Sequence, residues 1–192
     1  MAVAERIRAG GRSARIQASV HDAVRALEAE TARADLTIPM IAARAGVTPS
    51  TIYRRWGELS ELLADVAVAR LRPISDPADT GAVKTDLRVW VEQYMEEMAS
   101  PVGRAMIRDV LGGDPESHNI GQCCAFTEAQ IRFIAERATG RGETAFDIDA
   151  VIDHVVAPIM YRILFNDRRP TLAYCQALID GVMPEDTRPA QR

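Results

Sequence analysis

The residues best suited to chemistry are nine consecutive positions, Thr48 to Trp56, reading Thr-Pro-Ser-Thr-Ile-Tyr-Arg-Arg-Trp. Hydroxyls, a phenol and guanidinium groups donate hydrogen bonds to phosphate oxygens and base edges. Gathered at the start of one short helix, they suit a polyanion rather than a bond-making step. Elsewhere the residue types needed for covalent or metal chemistry are badly spaced. Cys123, Cys124 and Cys175 offer no C-x-x-C or histidine spacing for zinc and are too few for a disulfide framework, so they read as free thiols. No phosphate-loop, nucleophile-elbow, zincin or dinucleotide-glycine pattern is present. Asp147, Asp149 and Asp153 resemble a carboxylate cluster, but Asp147 is placed to cap a helix and the others to complement its positive end. The expectation is a non-enzyme without cofactor or metal.

A reading segment of this kind must be held by local structure. Apolar positions 38, 41 and 42 share one helical face, as do Ile52 and Trp56. Thr37 is placed to cap the first of these helices and Pro39 falls in its first turn, where a missing N–H costs little. Gly46 follows the last helical residue, where a left-handed backbone is wanted. Thr48 is expected to cap the next helix, with Pro49 in its first position. Helix, glycine turn and helix make a helix-turn-helix whose second helix reads DNA through Thr48, Ser50, Thr51, Tyr53 and Arg54.

The whole chain agrees. Residues 1–59 carry nine arginines against six acidic residues, whereas the 192-residue chain has net charge −4, so a basic head precedes an acidic body. Apolar residues recur at helical spacing and no strict alternation appears, giving an all-α protein of about nine helices. The expected helices cover 14–31, 38–45, 49–55, 59–71, 81–98, one opened by Pro101, 116–138, 148–166 and 171–182. Pro73 and Pro77 mark the one linker, which divides a head at 1–70 from a body at 71–183, and the polar stretch 184–192 reads as a disordered tail. Pro158 inside the 148–166 helix predicts a kink. No window approaches about 18 uncharged apolar residues and the N-terminus has no apolar signal region, so a cytoplasmic location off the membrane is expected.

The run LTIPMIAARAGVTPSTIYRRWGELSELL, at 36–63, resembles the DNA-binding region of the TetR family of one-component transcriptional regulators. The clear likeness covers about residues 14–70; RGE at 141–143, DID at 147–149 and the proline-bearing apolar helix with Tyr161-Arg162 resemble a regulatory domain of that family more loosely. The resemblance implies phosphate contacts from Thr48, Thr51 and Tyr53, and major-groove positions for Pro49, Ser50 and Arg54. Thr37 and Arg55 are counted on the same face, and Arg12 and Arg15 as backbone contacts. The family's small cap residue and lysine at the start of the next helix are Glu58 and Leu59 here, and its glycine at the end of the first helix is Ala32.

A single reading helix gains only roughly 1–3 kcal/mol per good base contact, so a two-fold dimer on a palindromic operator is expected. Its faces would be Ile148, Val151, Ile152, Val155 and Ile159 on one helix and Leu172, Leu178, Ile179 and Val182 on the next. A pocket for a small, largely apolar effector is expected among Trp90, Tyr94, Met98, Met106, Phe126, Met160 and Tyr161. Two other readings share part of this pattern: a redox regulator using Cys123 and Cys124, and a helical interaction module without DNA.

Overall fold

The computed structural model describes residues 7–144, 146–165 and 169–183; the tail expected at 184–192 lies outside them. The chain is all-helical and forms two compact units, one comprising Met1–Arg70 with Asp109–Asn119, the other Leu71–Arg108 with Ile120–Arg192.

The first unit contains α1 (Ile7–Glu30), a 3-10 turn (Arg33–Asp35), α2 (Ile38–Ala45), α3 (Pro49–Trp56) and most of α4 (Leu59–Leu71). Helix α1 begins earlier than residue 14. Gly10 and Gly11 lie within it at a modest cost, and Arg15 Nε donates a hydrogen bond to the Gly11 carbonyl at 3.0 Å. The helix closes without a glycine because Ala32 is extended (φ −61°, ψ 140°) and hands the chain to the 3-10 turn. Val20, Val24, Ile41, Ala42, Ile52 and Leu62 are fully buried and meet in one core.

The turn follows its chemistry. Thr37 precedes α2, although its hydroxyl accepts from the Met40 amide only at 3.5 Å. Gly46 is left-handed (φ 69°, ψ 31°), and the Val47 N–H reaches back to the Ala42 carbonyl at 3.0 Å, closing α2 with a glycine motif. Thr48 departs from its expected capping role. Its hydroxyl bonds Ser50 Oγ at 2.9 Å and Thr51 Oγ1 at 3.0 Å instead of an α3 amide. Gly57 ends α3 at φ 75°, ψ −69°, a conformation that a Cβ would strain. Glu61, in the first turn of α4, accepts through its carboxylate from the Asp114 N–H and, at 3.4 Å, from Asn119 Nδ2.

The second unit holds α5 (Val83–Ala99), α7 (His118–Gly140), α8 (Ile148–Val151), a π turn (Ile152–Val156), α9 (Ala157–Phe165) and α10 (Leu172–Val182). The end of α4 and the start of α7 fall across the division between the units, as does α6 (Pro101–Gly112). With α8, the π turn and α9 taken as one interrupted rod, nine helices stand among the described residues. Asp147 caps the rod by accepting from the Asp149 amide at 3.0 Å. The π turn lies directly before Pro158. There the Ala157 N–H bonds the Ile152 carbonyl, five residues back, which widens the turn that the proline ring would otherwise crowd.

A buried carboxylate pins the linker. Asp86 in the first turn of α5 is fully buried and accepts from the Thr80 amide and hydroxyl, each at 2.7 Å, and from Arg137 and Arg141 of the α7 end, each at 2.9 Å. Arg137 also donates to the Pro77 carbonyl at 2.9 Å, and Glu143 accepts from the otherwise free Val83 amide at 2.7 Å. Burial works against ionisation of Asp86, but the Thr80 and arginine hydrogen bonds outweigh it and hold its pKa down at about 2.

Removing this charge leaves two guanidinium groups without their shared acceptor. Asp86→Asn is therefore expected to lower the unfolding free energy by about 3 kcal/mol or more near neutral pH. Because the folded value lies below the ordinary 3.8, the contribution is complete above that value and fades as pH falls toward about 2. Urea denaturation across this range checks both points: the variant should lose less stability than the parent on acidification.

Candidate nucleic-acid interface

Helix α3 has only eight residues, so its orientation depends on what holds its back. Ile52 is fully buried in the core of the first unit, and Trp56, four residues on, is half-buried against the same core. The opposite side is solvent-facing. Tyr53 is 52% exposed and Pro49, Ser50 and Arg54 are exposed, with Thr51 half-buried beside them. The Arg54 guanidinium makes no hydrogen bond or ion pair to another described residue. Ser19 Oγ donates to the Ala45 carbonyl at 2.8 Å, fastening α1 to the end of α2 just before the turn.

A polar network fixes the far end of α3. Trp56 Nε1 donates to Asp65 Oδ2 at 2.7 Å, Gln17 Nε2 donates to the same oxygen at 3.1 Å, and His21 Nε2 lies 3.0 Å from it. Gln17 Oε1 accepts from Arg55 Nη2 at 2.6 Å, while Arg55 Nη1 donates to Ser13 Oγ at 2.7 Å and to the Ser13 carbonyl at 3.2 Å. The Arg55 guanidinium lies 5.1 Å from the Trp56 ring centroid. Burial disfavours the Asp65 carboxylate, but hydrogen bonds from His21, Trp56 and Gln17 outweigh that and hold it below the usual carboxylate range.

Most of the expected DNA-facing residues thus share one exposed face: Thr48, Pro49, Ser50, Tyr53 and Arg54, with Thr51 at its edge. Arg55, also expected at the interface, is held differently from Arg54. It is exposed, yet its guanidinium is committed to α1 through Ser13 and Gln17, so it braces the reading helix. Thr37 is exposed at the start of α2, and Arg12 and Arg15 are exposed on α1, Arg15 with its Nε bonded to Gly11. Asp65, Gln17 and His21 were not singled out from the sequence. The available signal was an acid set inside the apolar run Leu62 to Val68, together with an indole N–H that needs an acceptor when buried.

In the second unit, Trp90 and Tyr94 stack with centroids 5.3 Å apart. Trp90 and Met98 are buried in its core, with Tyr94 and Met160 packed against it. Met106 is buried and Phe126 half-buried, neither within that cluster. Tyr161 is 62% exposed, its ring tilted against that of Phe165, so it lies outside any enclosed pocket: the helical turn that points Met160 inward points its neighbour out. Burial pushes the Tyr94 phenol far up, with Cys123 adding to the effect. Burial and neighbouring Cys124 also push the Cys123 thiol up, the wrong direction for a redox-sensing thiolate.

The expected partner-facing residues divide. Val151, Val155, Ile159 and Ile179 are at most 1% exposed within the single chain, so they belong to its own core and are withdrawn from the partner face. Ile148, Ile152, Leu178 and Val182 remain partly exposed and Leu172 is 37% exposed. No helix among the described residues is long and apolar enough to cross a membrane, and none of their His, Cys, Asp and Glu groups is arranged to hold a metal ion.

Known proteins share both halves. The family model "Bacterial regulatory proteins, tetR family" matches residues 22–66, and "Tetracyclin repressor-like, C-terminal domain" matches residues 77–182. The HTH-type transcriptional regulator Rv1556 of Mycobacterium tuberculosis is 29% identical over 160 residues, spanning 80% of this chain and 79% of that protein. The DNA-binding transcriptional repressor TetR of Mycobacteroides abscessus is 26% identical over 166 residues, spanning 79% of this chain and 83% of that one. Among solved structures, the TetR family transcription regulator SCO0332 has the same fold with TM-score 0.62 at 22% identity, covering 86% of this chain and 95% of that one. A TetR transcriptional regulator from Agrobacterium tumefaciens matches with TM-score 0.55 at 20% identity, covering 88% and 92% respectively. The chain belongs to the TetR family of DNA-binding, helix-turn-helix transcriptional regulators.

Proposed function

We propose that this chain is a repressor that grips a palindromic operator as a two-fold dimer and lets go when a small, largely apolar effector binds its second unit. The observation that carries the DNA half is the division of α3: Ile52 fully buried, Tyr53 and Arg54 one and two residues later facing solvent. Thr48, Ser50 and Thr51 place hydroxyls at the helix start, where the dipole favours phosphate. Arg12 and Arg15 add positive charge on α1. The relative named a transcriptional repressor supports the choice of repression over activation.

The dimer reading rests on apolar surface that the single chain leaves uncovered. Tyr161 is 62% and Phe165 74% exposed on α9, and Leu172 begins α10. Tyr161 and Phe165 replace the buried isoleucines and valines as the central partner contacts, with Ile152, Leu178 and Val182 beside them. The effector reading rests on Trp90, Tyr94, Met98 and Met160, aromatic and soft side chains grouped on one core. Such an effector shifts DNA binding only if it prefers one of two conformers.

Three outcomes follow. Selection from a random duplex library should enrich an inverted repeat; Tyr53→Phe with Arg54→Ala should then weaken binding to it by about tenfold or more in a fluorescence titration. An unenriched library, or unchanged binding by the double variant, would reject α3 as the reader. Tyr161→Glu with Phe165→Glu should convert a dimer to a monomer in sedimentation analysis while leaving helicity intact, and an unchanged dimer would move the interface elsewhere. Among small aromatic and aliphatic compounds, at least one should lower affinity for the selected duplex by about fivefold or more. If none does, the effector half of the proposal is lost and the DNA half stands.

A further inference from the structure

We propose that Asp65, which does not face the DNA side of α3, is the positioning residue that sets the angle of the reading helix and so the discrimination between sequences. This rests on the reading of α3 as the DNA-contacting helix. One oxygen, Asp65 Oδ2 on α4, gathers Trp56 Nε1 from α3 at 2.7 Å and His21 Nε2 and Gln17 Nε2 from α1 at 3.0 and 3.1 Å. An ionised carboxylate only accepts, so all three nitrogens donate to it. Asp65 thereby joins the three helices at one atom.

The junction reaches the reading surface by two routes. Trp56 closes α3 three residues after Tyr53, so the direction of the indole fixes how far the helix is rolled. Gln17 passes the constraint from Asp65 to Arg55, the neighbour of Arg54, through its second amide atom at 2.6 Å. Arg55 in turn holds Ser13 and lies over the Trp56 ring. Both side chains at the end of α3 are therefore tied to the same carboxylate, and neither is left to choose its rotamer.

Stability alone does not require this arrangement. Buried ionic groups are often replaceable by apolar residues without loss of stability, and the surrounding run on α4 is apolar throughout. Three directed hydrogen bonds add what apolar contacts lack, a fixed orientation. Binding groups must sit within about 0.5 Å and 10–20° of their productive geometry, and a two-turn helix resting on Ile52 alone could roll beyond that.

The test uses the full chain, the inverted-repeat duplex that the unaltered protein selects, and a scrambled duplex of equal length. Asp65→Asn keeps the shape and removes the charge; Trp56→Phe removes one donor and keeps the ring. With the active fraction of each protein set by stoichiometric titration, each variant should lose about tenfold in affinity for the selected duplex and less than about twofold for the scrambled one. Their effects should combine to much less than the product, because both break the same bond. A role confined to stability predicts a smaller active fraction or a lower melting temperature with the ratio of the two affinities unchanged, and that result overturns the inference. Should Asp65→Asn fail to fold, Trp56→Phe decides by the same ratio. If the unaltered protein selects no duplex, the DNA reading fails and this inference with it; if it selects one and the variants keep its ratio, only the inference fails.

Discussion

An eight-residue helix has no independent stability in water, so the orientation of α3 depends on the contact that holds its back. Ile52 supplies the apolar part of that contact, fully buried in the first core. Burying such a side chain contributes roughly 1.5–3 kcal/mol, enough to keep the helix down but indifferent to its rotation. Direction comes from polar contacts at the two ends. At the start, the Gly46 turn and Pro49 dictate where the backbone enters. At the finish, Trp56 is caught by Asp65 and the chain leaves through Gly57 in a conformation that other residues avoid. The exposed hydroxyls, phenol and Arg54 are consequences of this mounting: with one face committed inward, the rest of a two-turn helix has nowhere else to point.

What could be read from the amino-acid order follows the range of the interactions. The helix-turn-helix was legible because its determinants are local. Pro39, Gly46 and Pro49 act on their own backbone, and Ile38, Ile41, Ala42 and Ile52 repeat at helical spacing. The Arg55 contacts were not legible because its partners, Ser13 and Gln17, lie about forty residues away and nothing near it reveals that it is engaged. The Asp65 junction was invisible for the same reason, since two of its three donors come from α1. The start of α1 was placed late because its apolar stripe begins at Ile16, whereas the helix continues through Gly10 and Gly11 at a modest cost.

The rod formed by α8, the π turn and α9 shows a different limit. Its sequence is apolar on nearly every side, so periodicity identified a helix without saying which residues serve the chain's own core. Packing resolves this. Val151, Val155, Ile159 and Ile163 repeat every four residues and are buried, while Tyr161 and Phe165, also four apart, are out in solvent. The four-residue repeat overshoots a regular helical turn, and the π turn at Ile152–Val156, which winds less per residue, helps keep Val151 and Ile159 on one side. Pro158 and the π turn therefore act together: the proline disfavours a regular turn and the wider turn sets the register of the inward face.

That register links the two roles assigned to the second unit. Met160 packs on the core that contains Trp90 and Met98, and Tyr161, the next residue, is turned about 100° around α9 to an exposed position. Within α9 the two residues turn together, so neither rotates without the other. In the proposed dimer, an effector that moves Met160 against that core would turn the Tyr161–Phe165 pair against the partner. Because interfaces repack between discrete arrangements rather than deforming smoothly, a small rotation at the core side suffices to favour one dimer geometry over another. The energy available is limited by the effector's preference for one arrangement, so a modest coupling free energy of about 1–3 kcal/mol is the scale on which such a rod should operate. The π turn is well suited to this motion, since it is the one segment of the rod whose backbone hydrogen bonds already depart from the regular pattern.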